Sequence, residues 1–154
     1  MKEIKLTQGL FAQVDDSDFD NVNQWQWYAL KIKKGYYAVR HDDINHNKII
    51  LMHRFILQTP ISMKVDHKDH NGLNCQRNNI RNCSTQQNNT NKTSVGKSKY
   101  LGVTHHLHGG FVASIRIKGI ATYLGYYKDE KDAAIAYDKA AKINHREFAN
   151  LNFK

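Results

Sequence analysis

The most informative absence in this 154-residue chain is that of acidic residues, because no Asp or Glu occurs from His70 to Lys128. The whole chain carries a formal net charge of +9. The lysines and arginines of the acid-free window are Arg77, Arg81, Lys92, Lys97, Lys99, Arg116, Lys118 and Lys128. A stretch with several cations and no carboxylates predicts a surface that binds a polyanion.

Long hydrophobic runs and abundant cysteine are also missing. No stretch approaches the ~20 apolar residues of a membrane span, and residues 1–5 lack the apolar core of a signal peptide. We therefore expect an intracellular protein that does not contact a membrane. The two cysteines, Cys75 and Cys83, suit a reducing compartment. They do not form a C-x-x-C pair, so we expect no zinc site built on cysteine pairs; their spacing alone would permit a disulfide.

The chain does contain a carboxylate next to an imidazole, and two asparagine side chains follow further along the sequence. Asp66 and His67 are adjacent, Asn79 follows about a dozen residues later, and Asn88 follows about twenty residues later. Carboxylate and amide oxygens are hard ligands that suit Mg²⁺. An imidazole can take a proton from water near neutral pH. These residue types are what single-metal cleavage of a phosphodiester requires.

The stretch from His53 to about Asn91 resembles the HNH endonuclease family in its homing-endonuclease branch. The resemblance implies that His67 is the general base and that Asp66 and Asn88 hold a divalent metal, Mg²⁺ or Mn²⁺. It also implies that Asn79 braces the loop that carries the base. The position occupied by Asn88 is often His in the family. By the same analogy, the protein would act in the cytoplasm of a bacterial host or a phage-infected cell.

Other polar residues near this motif have simpler explanations. Asn tolerates positive φ and caps helices, so most of the Asn residues between Asn71 and Asn91 are expected in turns. We expect His70 to be a loop or phosphate-contacting residue rather than a second base. We expect His53 to be partly buried against the site, in a supporting role.

The N-terminal third of the sequence has residue patterns typical of β-strands. Residues 11–14 precede an acidic cluster in which Asp16 or Ser17 could cap a short helix through Asn23. Aromatic runs on either side of Lys33–Lys34–Gly35 predict a hairpin, and residues 48–52 predict a further strand. We expect the aromatic side chains of this region to form core rather than to stack on bases.

After a polar stretch at residues 92–99 the pattern changes to three short strands and one helix. In the second strand, Phe111, Ala113, Ile115 and Ile117 alternate with Val112, Ser114, Arg116 and Lys118, which predicts one buried and one exposed face. The helix is expected to start at Asp129 and to bury an alanine-rich face. The last residues, 148–153, are expected to fold back over this core.

These residues resemble a second family, the ethylene-response-factor (Apetala-type) DNA-binding domain. The matching segments are Tyr100-Leu101-Gly102-Val103, Phe111 to Arg116, Tyr123 to Tyr127, Ala133 to Ala141 and Phe148 to Phe153. In that family the sheet lies in the major groove. The resemblance therefore implies DNA contacts at Thr104, His106, Ser114, Arg116 and Tyr123. Arg116 could contact guanine or a phosphate, and Thr104, Ser114 and Ala121 stand where that family usually has Arg.

The sequence thus predicts an α+β protein of two modules. Residues 1–95 would form an HNH domain, a small N-terminal sheet with a ββα-metal core at about 53–92. Residues 96–154, from a boundary near Gly96, would form a three-stranded antiparallel sheet packed on one helix. The expected function is metal-dependent cleavage of double-stranded DNA by a nicking monomer; the alternatives are a non-catalytic, sequence-specific DNA-binding regulator and an RNA-binding protein. The DNA-contacting candidates are Arg77, Arg81, Lys99, Thr104, His106, Ser114, Arg116, Lys118 and Tyr123.

Overall fold

The structure, a computed structural model, describes residues 1–45, 47–90 and 98–153. The chain divides into two compact units, Met1–Ser84 and Thr85–Lys154. Within the described residues it is a mixed α/β protein with four α-helices and four small antiparallel sheets. The predicted boundary near Gly96 falls among residues 91–97, outside the described residues. None of the helices in the described ranges is long and apolar enough to cross a bilayer.

The first unit begins with a hairpin and a short helix. Strand β1 (Lys2–Lys5) pairs antiparallel with β2 (Phe11–Val14), and α1 follows at Asp16–Asn23. The expected helix is present, but its N-cap residue is Asp15 rather than Asp16 or Ser17. The Asp15 carboxylate does not cap the helix. It accepts hydrogen bonds from Arg77 N at 2.8 Å and Gln76 Nε2 at 3.3 Å, which links the start of α1 to a distant loop.

The predicted hairpin of the aromatic segment is confirmed. Strands β3 (Tyr28–Ile32), β4 (Gly35–His41) and β5 (Ile49–Leu51) form a three-stranded antiparallel sheet in that order. Gly35 has a φ of +100°, a conformation that suits glycine at this tight turn. Trp27 is buried, with its indole N–H donating to Val22 O at 2.9 Å, so this ring forms core as expected.

Helix α2 (Met52–Leu57) and a third hairpin complete the first unit. The hairpin joins β6 (Lys64–His67) to β7 (Ile80–Cys83). Its register places Asp66 opposite Arg81 and His67 opposite Ile80. The helix buries Met52 and Ile56 in the core shared by the sheets of this unit. Helix α2 and the end of β6 come together in this unit, where the His53 and His67 rings are in contact.

The second unit starts with α3 (Thr85–Thr90). Strands β8 (Val103–His105), β9 (Phe111–Ile117) and β10 (Ile120–Tyr127) form a sheet in the order β10-β9-β8. Helix α4 (Glu130–His145) has Asp129 as its N-cap, and the Asp129 side chain accepts a hydrogen bond from Lys131 N. The three strands and the helix cap are therefore confirmed.

The alanine-rich side of α4 lies against one face of this sheet. The contacting core residues are Ala133, Ala134, Tyr137 and Ala141 from the helix and Val103, Ala113 and Ile115 from the strands. Gly102 has a φ of +71°, and a Cβ there would collide with the Tyr137 ring. The small residues let the helix approach the sheet closely.

The end of the chain is tied to α4 by a buried carboxylate. Asp138 accepts hydrogen bonds from Asn152 N at 2.9 Å, Asn152 Nδ2 at 3.0 Å and Phe153 N at 2.9 Å. Asn152 Oδ1 in turn accepts from Leu101 N at 2.6 Å. The predicted return of the last residues over this core is therefore confirmed.

Candidate active site

The end of β6 places Asp66 and His67 side by side in the chain but in different surroundings. Both side chains are buried. Successive residues of a strand point to opposite faces, so Asp66 meets Arg81 on β7, whereas His67 meets Tyr37 and His53. The two functional groups are thus held by separate sets of neighbours.

His67 lies in an aromatic pocket formed by β4 and α2. Its ring stacks on Tyr37, with centroids 5.8 Å apart, and meets the edge of His53 at 4.9 Å. Burial lowers the pKa of His67 below its usual value, although the charges of Asp69 and Asp66 act in the opposite direction. The imidazole is therefore neutral at pH 7 and can accept a proton.

His53 is the closest titratable neighbour of His67. It lies on α2 with only 6% of its surface exposed. Burial, followed by the nearby His67 and Arg54, lowers the pKa of His53 to about 3. Its Nδ1 atom has no hydrogen-bond partner within the described part of the chain. The expected position of His53 against the predicted base is confirmed, but the side chain is almost completely rather than partly buried, and its supporting role stays a prediction.

Asp66 forms an ion pair with Arg81. Nε and Nη2 of Arg81 donate to Asp66 Oδ2 at 2.9 and 2.7 Å. Both side chains are largely buried, at 14% exposure for Arg81 and 5% for Asp66. Arg81 was predicted to contact DNA; the structure places its guanidinium against the carboxylate of the predicted metal ligand, and DNA contact by Arg81 stays a prediction.

Asn79 fastens the loop that follows His67. Its Nδ2 donates to Asp69 Oδ1 at 2.9 Å and to Asn74 O at 2.8 Å, and its Oδ1 accepts from Asp69 N at 3.1 Å. Asn79 O also accepts from Lys68 N at 3.0 Å. This is the bracing position that the family resemblance implied for Asn79.

Asp69 is a site residue that the sequence did not single out. Burial raises the pKa of Asp69, but hydrogen bonds from Asn71, Asn74 and Asn79 outweigh it and hold the pKa below its usual value. The carboxylate therefore stays charged and organises this asparagine-rich loop. The sequence does contain a sign of this role, because Asp69 lies in an asparagine-rich segment, and Asp and Asn side chains commonly form hydrogen bonds with the local backbone in turns.

Arg77, another predicted DNA contact, is bound to helix α1. Its Nε and Nη2 donate to the Asp18 carboxylate at 2.8 and 2.7 Å, and Nη2 also donates to Ile56 O at 3.2 Å. About half of the side chain remains exposed, at 52%. The pair connects α1 and α2 to the segment between β6 and β7, and DNA contact by Arg77 stays a prediction.

Comparison with known proteins identifies the family. No protein-family model matches the chain. The chain is 32% identical over 151 residues to an uncharacterized HNH endonuclease of Acanthamoeba polyphaga mimivirus, in an alignment that covers 94% of this chain and 76% of that protein. The chain belongs to the HNH endonuclease family. The buried Asp66–His67 pair and the loop held by Asn79 contain the residues of this HNH protein that the family resemblance singled out.

The remaining predicted residues of this HNH protein lie in the second unit. Asn88 is half-buried on α3, and its role as a metal ligand stays a prediction. The strand registers place Thr104, Ser114, Arg116 and Tyr123 on the sheet face opposite Ala113 and Ile115. Lys99, His106 and Lys118 are exposed outside the strands.

An open groove runs along that sheet face within the second unit. Its volume is about 790 Å³, and its lining includes Thr104, Ser114 and Arg116 of the sheet together with Gln86 and Asn89 of α3. Arg116 Nη1 donates to Gly119 O at 2.7 Å, which fixes the guanidinium near the β9–β10 turn. Arg116, Thr104 and Ser114 thus give this face one cation and two hydroxyl groups, and DNA contact there stays a prediction.

The first unit also contains a group of softer metal-binding side chains. His53, His67 and Cys75 are all buried, and one potential ligand atom of each lies within 4.8 Å of the others. Cys75 and Cys83 are both free thiols. Burial raises the pKa of the Cys75 thiol to about 12. Sequence reasoning considered the cysteines only in relation to each other and so missed Cys75 beside the histidines.

Proposed function

We propose that this chain is a DNA endonuclease of the homing type that hydrolyses one phosphodiester with His67 as general base. The observation that carries the proposal is the buried, neutral imidazole of His67, next to Asp66 in a member of the HNH endonuclease family. Neutrality at pH 7 is the state that a general base needs. The acid-free stretch from His70 to Lys128, which carries eight lysines and arginines, supports DNA as the substrate.

Asp66 and Asn88 are the proposed ligands of a divalent cation, Mg²⁺ or Mn²⁺. The donor chemistry fits, because both side chains offer oxygen atoms, and the Asp66 carboxylate already holds a positive group, the Arg81 guanidinium. When bound, the cation would supply positive charge for the 3′ oxygen that leaves phosphorus.

The chain's own residues would perform the remaining steps. A ring nitrogen of His67 would take a proton from the attacking water, and the stacked Tyr37 ring would keep the imidazole oriented. Asn79 would hold the loop after His67 through Asp69 and Asn74. Arg81 would hold the Asp66 carboxylate in place through its hydrogen bond until the cation binds.

The second unit is the proposed DNA-reading module. Its three-stranded sheet has one face packed on α4 and an opposite face that carries Arg116, Ser114 and Tyr123. A sheet can enter the major groove. We propose that this face contacts DNA as in the Apetala-type domain and directs the nuclease to its target.

A plasmid assay tests the proposal. Wild-type protein should convert supercoiled DNA to relaxed circles with Mg²⁺ and not with EDTA, and Asp66→Ala should lose this activity. Asp20→Ala is the matched control, because Asp20 is an exposed carboxylate on α1. Linear product would mean cleavage of both strands. DNA binding by all three proteins without any Mg²⁺-dependent product would contradict the proposal and favour a non-catalytic DNA-binding regulator.

A further inference from the structure

Three elements of the first unit converge on one small buried cluster. His53 comes from α2, His67 from the end of β6 and Cys75 from the segment between β6 and β7. Their exposed fractions are 6%, 7% and 0%. The cluster contains two nitrogen donors and one sulfur donor, with no carboxylate among the three.

The backbone around Cys75 holds this cluster in position. Cys75 N donates to Gln13 O at 2.8 Å, and Gln13 N donates to Leu73 O at 2.8 Å, so the segment is fastened to β2. Among the residues that the structure describes, the Cys75 thiol makes only a long contact of 4.0 Å, with Gly72 O. The sulfur is therefore placed by the backbone and is not strongly engaged by a hydrogen-bond acceptor.

His53 supplies an independent sign that a ligand belongs here. Its Nδ1 is buried and lacks a hydrogen-bond partner among the residues that the structure describes. Leaving a buried polar atom unsatisfied typically costs about 1–3 kcal/mol. A cation coordinated at this cluster would remove that cost if it were bound through the nitrogen atom.

We propose that His53, His67 and Cys75 form a binding site for Zn²⁺ or a chemically similar transition-metal ion, separate from the oxygen ligands proposed for Mg²⁺. Imidazole and thiolate are preferred ligands of Zn²⁺, whereas Mg²⁺ prefers oxygen. With Zn–N near about 2.0 Å and Zn–S near about 2.3 Å, neighbouring ligand atoms lie roughly 3.5 Å apart. Atoms now within 4.8 Å would need to approach by roughly 1.3 Å at most on that geometry. A fourth position is left for water.

Binding at this site would block cleavage, a consequence that rests on the proposed function of His67. The Cys75 S–H bond breaks, its proton goes to the solvent, and the sulfur forms a bond to the metal. A nitrogen of His67 donates its lone pair to the same ion and is then unable to accept a proton from water. The cluster would therefore make the nuclease sensitive to zinc while it remains dependent on magnesium.

Titration of the metal-free, full-length protein with Co²⁺ tests the site, because Co²⁺ reports thiolate coordination by absorbance. Wild type should show a thiolate-to-cobalt band that saturates at one ion per chain, and Zn²⁺ should displace it. Cys75→Ser should lack the band. Cys83→Ser, which changes the other buried free thiol, should keep it. His53→Gln should weaken Co²⁺ binding at least about tenfold, the loss caused by removing even an outer-shell partner of a metal site.

The absence of a thiolate band in wild type, or an unchanged band in Cys75→Ser, would overturn the site. So would loss of the band in Cys83→Ser with the fold intact by tryptophan fluorescence. If Cys75→Ser does not fold, wild type, Cys83→Ser and His53→Gln still decide the matter, because a band that is unaffected by His53→Gln excludes the cluster.

A second arm separates this site from the proposed function. With Mg²⁺ present, Zn²⁺ added at one ion per protein chain should inhibit cleavage by wild type and by Cys83→Ser, each compared with its own rate without zinc. The inhibitory concentration should rise at least about tenfold in His53→Gln. Cobalt binding without any Mg²⁺-dependent cleavage would uphold the site and contradict the nuclease proposal. Mg²⁺-dependent cleavage without the thiolate band would uphold the nuclease proposal and contradict the site.

Discussion

At the scale of single residues, burial of ionisable groups is the dominant feature of the first unit. His53 and His67 contact each other and are neutral at pH 7 because both are largely removed from water. A neutral histidine is the form that accepts a proton, so the packing that stabilises this unit also prepares the proposed base. The same packing makes the unit sensitive to acid.

We expect the first unit to lose stability as the pH falls from 7 to 5. The pKa of His53 is about 3 in the folded state and 6.5 as its ordinary value, so the unfolded chain binds the extra proton in this range. His53 alone should lower the free energy of unfolding by about 2 kcal/mol between pH 7 and pH 5. His67 shifts in the same direction. Above pH 6.5, the ordinary pKa of histidine, this contribution to the free energy of unfolding should be fully present.

Urea unfolding with EDTA present measures this effect. Both tryptophans, Trp25 and Trp27, lie in the first unit, so their fluorescence reports that unit specifically. His53→Gln should show a smaller loss between the two pH values than wild type. His70→Asn, at an exposed position with positive φ, should behave as wild type. Equal pH dependence in wild type and His53→Gln would contradict the assignment.

At the scale of elements, the loop between β6 and β7 helps to fix the position of the proposed base at the end of β6. Asn79, Asp69 and Asn74 form a closed set of hydrogen bonds immediately after His67. Side chains that hydrogen-bond local backbone can replace the regular pairing of a sheet in such loops. The position of the proposed base therefore depends on these amides as well as on β6.

Asn79→Ala should destabilise the first unit by about 1–3 kcal/mol, because it leaves buried groups without partners. It should also slow cleavage by allowing the loop after His67 to move. Asn78→Ala is the matched control, because Asn78 is adjacent and exposed. Urea unfolding and cleavage rates of the two variants provide the comparison. If the two variants were equally stable and equally active, Asn79 would not be a brace.

The sequence predicted these elements unevenly, for physical reasons. Alternating residues and a glycine turn made the β3–β4 hairpin and strand β9 readable, because period-two patterning is a local property. Helix α2 was not readable, since six residues are too few to show helical periodicity. The Asp66–Arg81 pair depends on strand register, and the approach of Cys75 to the histidines depends on contacts between distant segments.

At the scale of the whole molecule, charge is distributed unevenly along the chain. The acid-free stretch from His70 to Lys128 includes the sheet face that carries Arg116, Ser114 and Tyr123. DNA binding that neutralises phosphates should weaken steeply with salt, with a log–log slope of roughly −0.9 for each phosphate contacted. A face of this charge is expected to set affinity for DNA independently of cleavage.

Arg116→Ala tests whether this face contacts DNA. If Arg116 contacts a phosphate, the variant should bind all sequences more weakly and its salt slope should fall by roughly 0.9. If Arg116 contacts guanine, binding to the target should lose about 1–3 kcal/mol while other sequences are affected less. Lys139→Ala, an exposed cation on α4, is the control. Binding by Arg116→Ala equal to that of Lys139→Ala at every salt concentration would remove this face from the interface.

The central claim is that His67 is the base of a magnesium-dependent DNA endonuclease. Single-turnover cleavage and DNA affinity, measured for wild type, His67→Ala and the control Asn78→Ala at an exposed position, test it most directly. We predict that His67→Ala reduces the cleavage rate by about 10²-fold or more, while its affinity for DNA and its tryptophan fluorescence match wild type. Cleavage at the wild-type rate, or a loss of binding as large as the loss of cleavage, would contradict the account.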